Sequence, residues 1–295
     1  MGEADSQPEP ARGANLSRRE FLTTSALGTA TLSAASVPLL GPIPTVSTET
    51  AVARFYSMLR DEQRQRLCFP FAHPKRSRAL TNRAIVKPTI ADLSAEQRAC
   101  CAEIFKNLCS EEGYDLFLKQ MDDDGGGFEN YHVSVFGEPG TGQPFEWVLT
   151  GRHATLRADG NRADGVAFGG PIFHGHSREG PEHAGSVRRS LGRQAGKLFA
   201  TLDDKQRAQE LAVGELDGSQ KQMVRQLIRD LTLPFRGFNI PEIRECLCEE
   251  GGADKLRLTY FHGARDIWKL EGPGFVWYFH GSPHVHVWFN IAGRA

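Results

Sequence analysis

Three alternating, apolar segments close this chain: DIWKLEG (266–272), FVWYFHG (275–281) and HVHVWFN (284–290), with only Pro-Gly and Ser-Pro between them. Two residues can close an antiparallel hairpin, but a parallel pair needs a crossover of a dozen residues or more. If the segments are strands, they form a meander in one sheet. Further β-branched or aromatic runs read the same way: NYHVSVFG (130–137), FEWVLTG (145–151), RHATLRAD (152–159) and KLRLTYFHG (255–263). The first two of these are separated by the turn-rich GEPGTGQP (137–144).

Helix starts are marked by a recurring pattern: LRDEQR (59–64), LSAEQR (93–98), LDDKQR (202–207) and LDGSQK (216–221). In the last three, Ser94, Asp203 or Asp217 precedes a Gln by three positions, which is the capping-box spacing. Helices are predicted near 51–66, 95–121, 204–213 and 218–232. Helices and strands therefore come in segregated runs, which favours an α+β fold over a βαβ array. The expectation is an antiparallel sheet with capping helices, in a single large domain over residues 49–295. Two glycine-rich stretches resemble known loops but lack the chemistry. DDDGGG (122–127) has no alternating ligands or closing Glu for calcium and is read as a solvated loop, and GEPGTG lacks the Lys-Ser/Thr of a phosphate loop.

The charges balance, 35 Lys and Arg against 36 Asp and Glu, and so give no electrostatic reason to expect nucleic acid or an anionic membrane as partner. The amino terminus points elsewhere. In LSRREFLTTSALGTATLSAASVPLL, the pair Arg18–Arg19 is followed by Phe21 and Leu22, and no further charged residue comes until Glu49. The Ser-Arg-Arg-x-Phe-Leu core resembles a twin-arginine export signal over residues 1–48, which implies the twin-arginine translocase as partner and a periplasmic or extracellular destination. The Ser, Thr and Pro that dilute this stretch argue against a stable membrane span in the mature protein. Six cysteines, Cys68, Cys100, Cys101, Cys109, Cys246 and Cys248, fit either disulfides or buried thiols. Cys101 and Cys109, eight apart in a helical pattern, are about 12 Å apart along its axis, too far to bond to each other.

FYSMLRDEQRQRLCFPFAHPKRSR, DLSAEQR, EEGYDLFLKQM, YHVSVFGEP, FEWVLTGRHATLRADG, LEGPGF and HVHVWFN, in that order from about residue 52 to 290, resemble a bacterial family of domains of unknown function, DUF3500. The resemblance implies export but brings no activity. It aligns the family's Gly-His-His segment with Gly151, Arg152 and His153, and its late His-x-His with His284 and His286.

Ten histidines are present, and six lie in three places: His153; His174 and His176; His280, His284 and His286. Alternation puts His284, His286 and Trp288 on one face of a strand whose other face, Val285, Val287 and Phe289, suits a core. Imidazoles without thiolates suit zinc, copper or iron. The candidate metal set is His153, His284, His286, His174 and His176, with Glu146 as candidate acid/base and Asp266 as a second carboxylate that could orient a ligand. Trp147, Trp268, Trp277 and Trp288 suit either a pocket or the core. Two readings stay open: an exported metal-dependent enzyme, or a non-catalytic exported protein that binds a small molecule.

Overall fold

In the computed structural model of the chain, the described residues are 48–78, 80, 83–160, 172–175, 189–207, 210–235, 247–248, 251–261, 267–272, 275–280 and 286–291. The segment read above as an export signal lies outside them up to residue 47. Helix α1 (Thr48–Ser57) and α2 (Asp61–Leu67) occupy the region expected to hold one helix. The break follows from the capping pattern itself, because the Gln63 side chain accepts from the Arg60 backbone N–H at 3.0 Å and so starts a new helix. The short strand β1 (Cys68–Phe69) comes next.

A second break corrects the long helix expected over 95–121, which is two helices, α3 (Ala95–Leu108) and α4 (Glu111–Gly125). Ser110 caps α4, its hydroxyl accepting from the Gly113 N–H at 3.0 Å. Cys109 leaves the helix to bridge Phe235. Gly113 is needed here, since a Cβ would stand 2.1 Å from the Pro234 carbonyl oxygen. Cys101 and Cys109 therefore do not share a helix. Cys68, Cys100, Cys101, Cys109 and Cys248 all carry free thiols, which favours the thiol reading among the described residues.

Strands β2 (His132–Gly137), β3 (Phe145–Gly151), β4 (Ala154–Gly160) and β5 (Ile172–Gly175) follow. Then come α5 (Arg189–Thr201), α6 (Asp204–Arg207), β6 (Leu211–Ala212) and α7 (Gly218–Thr232), and finally β7 (Arg257–Phe261), β8 (Ile267–Gly272), β9 (Phe275–His280) and β10 (His286–Ile291). The helix expected over 204–213 is shortened, because Leu211 and Ala212 pair with β7 instead. All ten strands form one sheet in the order β1-β2-β3-β4-β5-β10-β9-β8-β7-β6. Every pairing is antiparallel except β1 with β2. This is the expected α+β fold, and the last three strands are the expected meander.

The helices cover one face of the sheet. Phe199 of α5 packs on Tyr260 and Trp268, and Phe235, just after α7, packs edge-on to Phe289. Trp147, Trp268 and Trp277 are fully buried in this core. On the opposite face, Arg76, Arg78, Leu80 and Ile85 lie against β3 and β4: Leu80 exchanges hydrogen bonds with Thr155, Arg157 donates to the carbonyls of Arg76 and Arg78, and the Ile85 N–H reaches the Thr150 hydroxyl at 3.4 Å. Strand β3 is consequently buried along its whole length. β8 and β9 instead alternate buried and half-buried residues.

The strand order mirrors about the central β5–β10 pair, and β2–β4 correspond residue by residue to β7–β9. The pairings Val133–Leu149 and Val135–Trp147 of β2–β3 recur as Leu258–Leu270 and Tyr260–Trp268 of β7–β8. Trp147–Ala158 and Gly151–Ala154 of β3–β4 recur as Trp268–Phe279 and Gly272–Phe275. The Ile90 N–H donates to the Tyr131 carbonyl, and its counterpart Val213 to Leu256. Gln97 donates to the carbonyl of Met58, and its counterpart Gln220 to that of Thr201. The four Leu-x-x-x-Gln patterns are thus two pairs, and the chain is a tandem of two similar α+β units sharing one sheet.

Candidate functional site

Between β3 and β4 the chain turns in two residues, Arg152 and His153. Among the described residues, His153 is the only non-glycine with a positive φ, at 54°. A turn with a positive φ at its second central residue normally takes Gly or Asn there, and a bulkier side chain costs on the order of 1–3 kcal/mol. The turn is held from several directions. The Tyr131 hydroxyl donates to the Arg152 carbonyl at 2.6 Å, and the Gln120 amide reaches the His153 carbonyl at 3.4 Å. Burial and the nearby Asp124 charge raise the Tyr131 pKa well above the usual phenol range, so this hydroxyl stays a donor. Gly151 must be glycine, because a Cβ would lie 2.3 Å from the Tyr131 ring.

Helix α4 brings a carboxylate to this turn. The left-handed Gly126 caps the helix, with the Gly127 N–H on the Met121 carbonyl, and places Asp124 under the hairpin. One Asp124 oxygen accepts from Arg152 Nε at 2.7 Å and the other from His153 Nδ1. The carboxylate is 1% exposed and the imidazole 2%. The segment expected to be a solvated loop therefore holds a buried functional group. Its flanking Asp122 and Asp123 are exposed, which is why the run as a whole looks solvated in sequence.

His286 opens β10, opposite His280 at the end of β9. Its ring centroid is 5.2 Å from that of His153 and 6.0 Å from that of His280. The alternation expected of this strand holds: Val287 and Phe289 are core, while His286 and Trp288 share the other face, their rings 5.5 Å apart and nearly perpendicular. Half-buried Tyr278 packs beside Trp288 at 5.3 Å. Of the four tryptophans, only Trp288 borders the histidines.

The structure thus brings together His153, His286 and His280, one end of the sheet from both halves of the chain. His174 takes part through its backbone, paired with Val287 and Ala154. The stretch that carries it, expected to supply candidate ligands, forms strand β5. His176, His284 and Asp266 lie outside the described residues. Glu146 is not brought to the histidines. It lies five residues before Gly151 on β3, roughly 17 Å along the strand, and its carboxylate is held by the fully buried Arg157 and by Arg76 at 3.1 Å. Among the described residues, no three His, Cys, Asp or Glu side chains are arranged to hold an ion. Burial pushes the Cys68 thiol up to about 11 and Cys101 well above the thiol range, which suits neither to act as a nucleophile. No helix among the described residues is long and apolar enough to cross a membrane.

Comparison with known proteins finds one family, described as "Protein of unknown function (DUF3500)", matching residues 43–245. The matched span contains Asp124, Glu146 and His153 and ends before His280 and His286. No curated protein and no solved structure matches the chain.

Proposed function

Because the chain belongs to the DUF3500 family, whose description names no activity, we propose its function from its own residues: an exported protein with a histidine site that binds a transition metal and uses it in catalysis. The observation that carries the proposal is the 5.2 Å separation of the His153 and His286 rings. Two imidazoles bound through nitrogen to one tetrahedral ion at about 2.0–2.1 Å have ring centroids roughly 5 Å apart. His153 and His286 would be the first two ligands. His284, two residues before His286 in the sequence, is the next candidate, followed by His174 and His176. An all-nitrogen set suits zinc, copper or iron. With an open position for water or substrate, such a site polarises a bound oxygen or activates water.

Export by the twin-arginine route, to the periplasm or beyond, is the reading supported by Ser-Arg-Arg-x-Phe-Leu at residues 17–22. Replacing Arg18 and Arg19 with Lys should hold the precursor in the cytoplasm; unaltered export of that variant would refute it. The second reading is a non-catalytic protein binding a small molecule. Half-buried Tyr278 and Trp288 beside the histidines favour it, as a stacking surface. Metal analysis of protein purified from its native compartment separates the two. The metal reading expects one ion per chain, lost in His286→Ala; a folded wild-type protein without stoichiometric metal would leave the binding-protein reading.

A further inference from the structure

The duplicated architecture supplies an internal comparison for the turn that holds His153. In the second half, Gly272 pairs with Phe275 as Gly151 pairs with Ala154, so the counterpart of Arg152–His153 is Pro273–Gly274. The second of these two positions is Gly274 in the sequence, the residue type a left-handed turn position favours. Making the turn therefore does not require histidine. The Gly126–Gly127 pair after α4, both of positive φ, likewise recurs as Gly251–Gly252, which makes Glu249 the counterpart of Asp124. His280 corresponds to Asp159. The positions of His153 and His280 thus hold Gly274 and Asp159 in the other half.

We propose that Asp124 is the positioning residue of this site: its carboxylate fixes His153 with the ring proton on Nδ1, leaving Nε2 as the electron-pair donor in a ring 5.2 Å from His286. The proposal rests on the histidine site described above and assigns one equipped site per chain. Three observations converge on it. Asp124 is buried, so its charge is directed at its partners rather than at solvent. Its second oxygen is occupied by Arg152, which fixes the carboxylate plane and offsets its charge. A histidine stands at a left-handed position, φ 54°, where the corresponding position of the other half is Gly274 in the sequence. A carboxylate that receives the N–H of a histidine sets its tautomer and raises the basicity of the other nitrogen, and losing it typically weakens metal binding 10–100-fold.

Three measurements on the full mature chain test this. In metal-free wild-type protein at alkaline pH, nitrogen NMR of the histidine rings should find the His153 proton on Nδ1; a proton on Nε2 would overturn the proposal. Asp124→Asn should bind zinc 10–100-fold more weakly than wild type, whereas equal affinity would overturn it. Should Asp124→Asn fail to fold, the wild-type tautomer still decides. His153→Gly, which copies the other half in sequence, should lose zinc and be less stable than wild type because the buried Asp124 loses a partner; a folded variant that keeps wild-type zinc affinity would overturn it. A wild-type protein that takes up no zinc counts against the metal reading alone, and the tautomer of His153 then settles the role of Asp124 by itself.

Discussion

Changing Glu146 to Gln removes one charge from a buried ion pair with Arg157. Glu146 and Arg157 are 3% and 0% exposed, and Arg157 also donates to the carbonyls of Arg76 and Arg78. With Gln at 146, Arg157 keeps the two carbonyl acceptors but loses the Glu146 charge. Removing one partner of such a pair costs about 3–5 kcal/mol. The Arg76 contact adds little, because Arg76 is 28% exposed and solvent screens it. The shape of Gln is nearly that of Glu, so the low end, about 3 kcal/mol, is expected. In urea, with a slope of about 3 kcal/mol/M for a chain of this size, the midpoint should fall by about 1 M. The double change Glu146→Leu with Arg157→Met should cost less than the sum of the two single changes. An unshifted midpoint, together with loss of whatever activity the protein has, would refute the anchoring role and make Glu146 the acid/base group instead.

The duplicated turn predicts an asymmetry. Gly151→Ala drives a Cβ to within 2.3 Å of the rigid Tyr131 ring, while Gly272→Ala meets the flexible end of Leu256 at 2.6 Å. Thermal unfolding should find the first the more damaging, by about 1–3 kcal/mol; equal effects would count against the close packing of Tyr131. At the start of α7, the Gln220 backbone N–H, and next the Ser219 hydroxyl, hold the Asp217 carboxyl below its usual range. A depressed pKa stabilises the fold above the unfolded value, near 3.9, and that stabilisation is lost as pH falls through the lower folded value. The stability difference between wild type and Asp217→Asn should therefore be present at neutral pH and vanish on acidification below about pH 4. A difference constant down to about pH 2 would exclude this origin.

Much of the fold is legible in the sequence because short links and alternation leave a chain few options: Gly272 and Phe275 can only pair if two residues separate their strands. Helix starts at Ser94, Asp203 and Asp217 are legible for the same local reason, since a cap needs only its own first turn. The breaks at residues 58–60 and at Cys109 are less so. The second depends on Ser110 and on the backbone of Pro234, far away in sequence, approaching Gly113. Strand β5 escapes a sequence reading because IFHG is too short and glycine-flanked to alternate visibly; it exists by pairing with β10 and β4. The duplication is in view as four Leu-x-x-x-Gln patterns, but their pairing emerges only from the register of the strands. At the site, His153 and His286 can be paired through the family resemblance and strand alternation. Asp124 cannot, since three consecutive aspartates look alike in sequence and only the Gly126 cap decides which one turns inward.

The central claim, a metal held by His153 and His286, is tested most directly by X-ray absorption at the edge of whatever metal co-purifies with the protein. The account predicts one ion per chain with at least two imidazole nitrogens at about 2.0–2.1 Å if the ion is zinc, and the loss of one of them in His286→Ala. A metal-free protein, a first shell without imidazole, or a His286→Ala spectrum identical to wild type would contradict it.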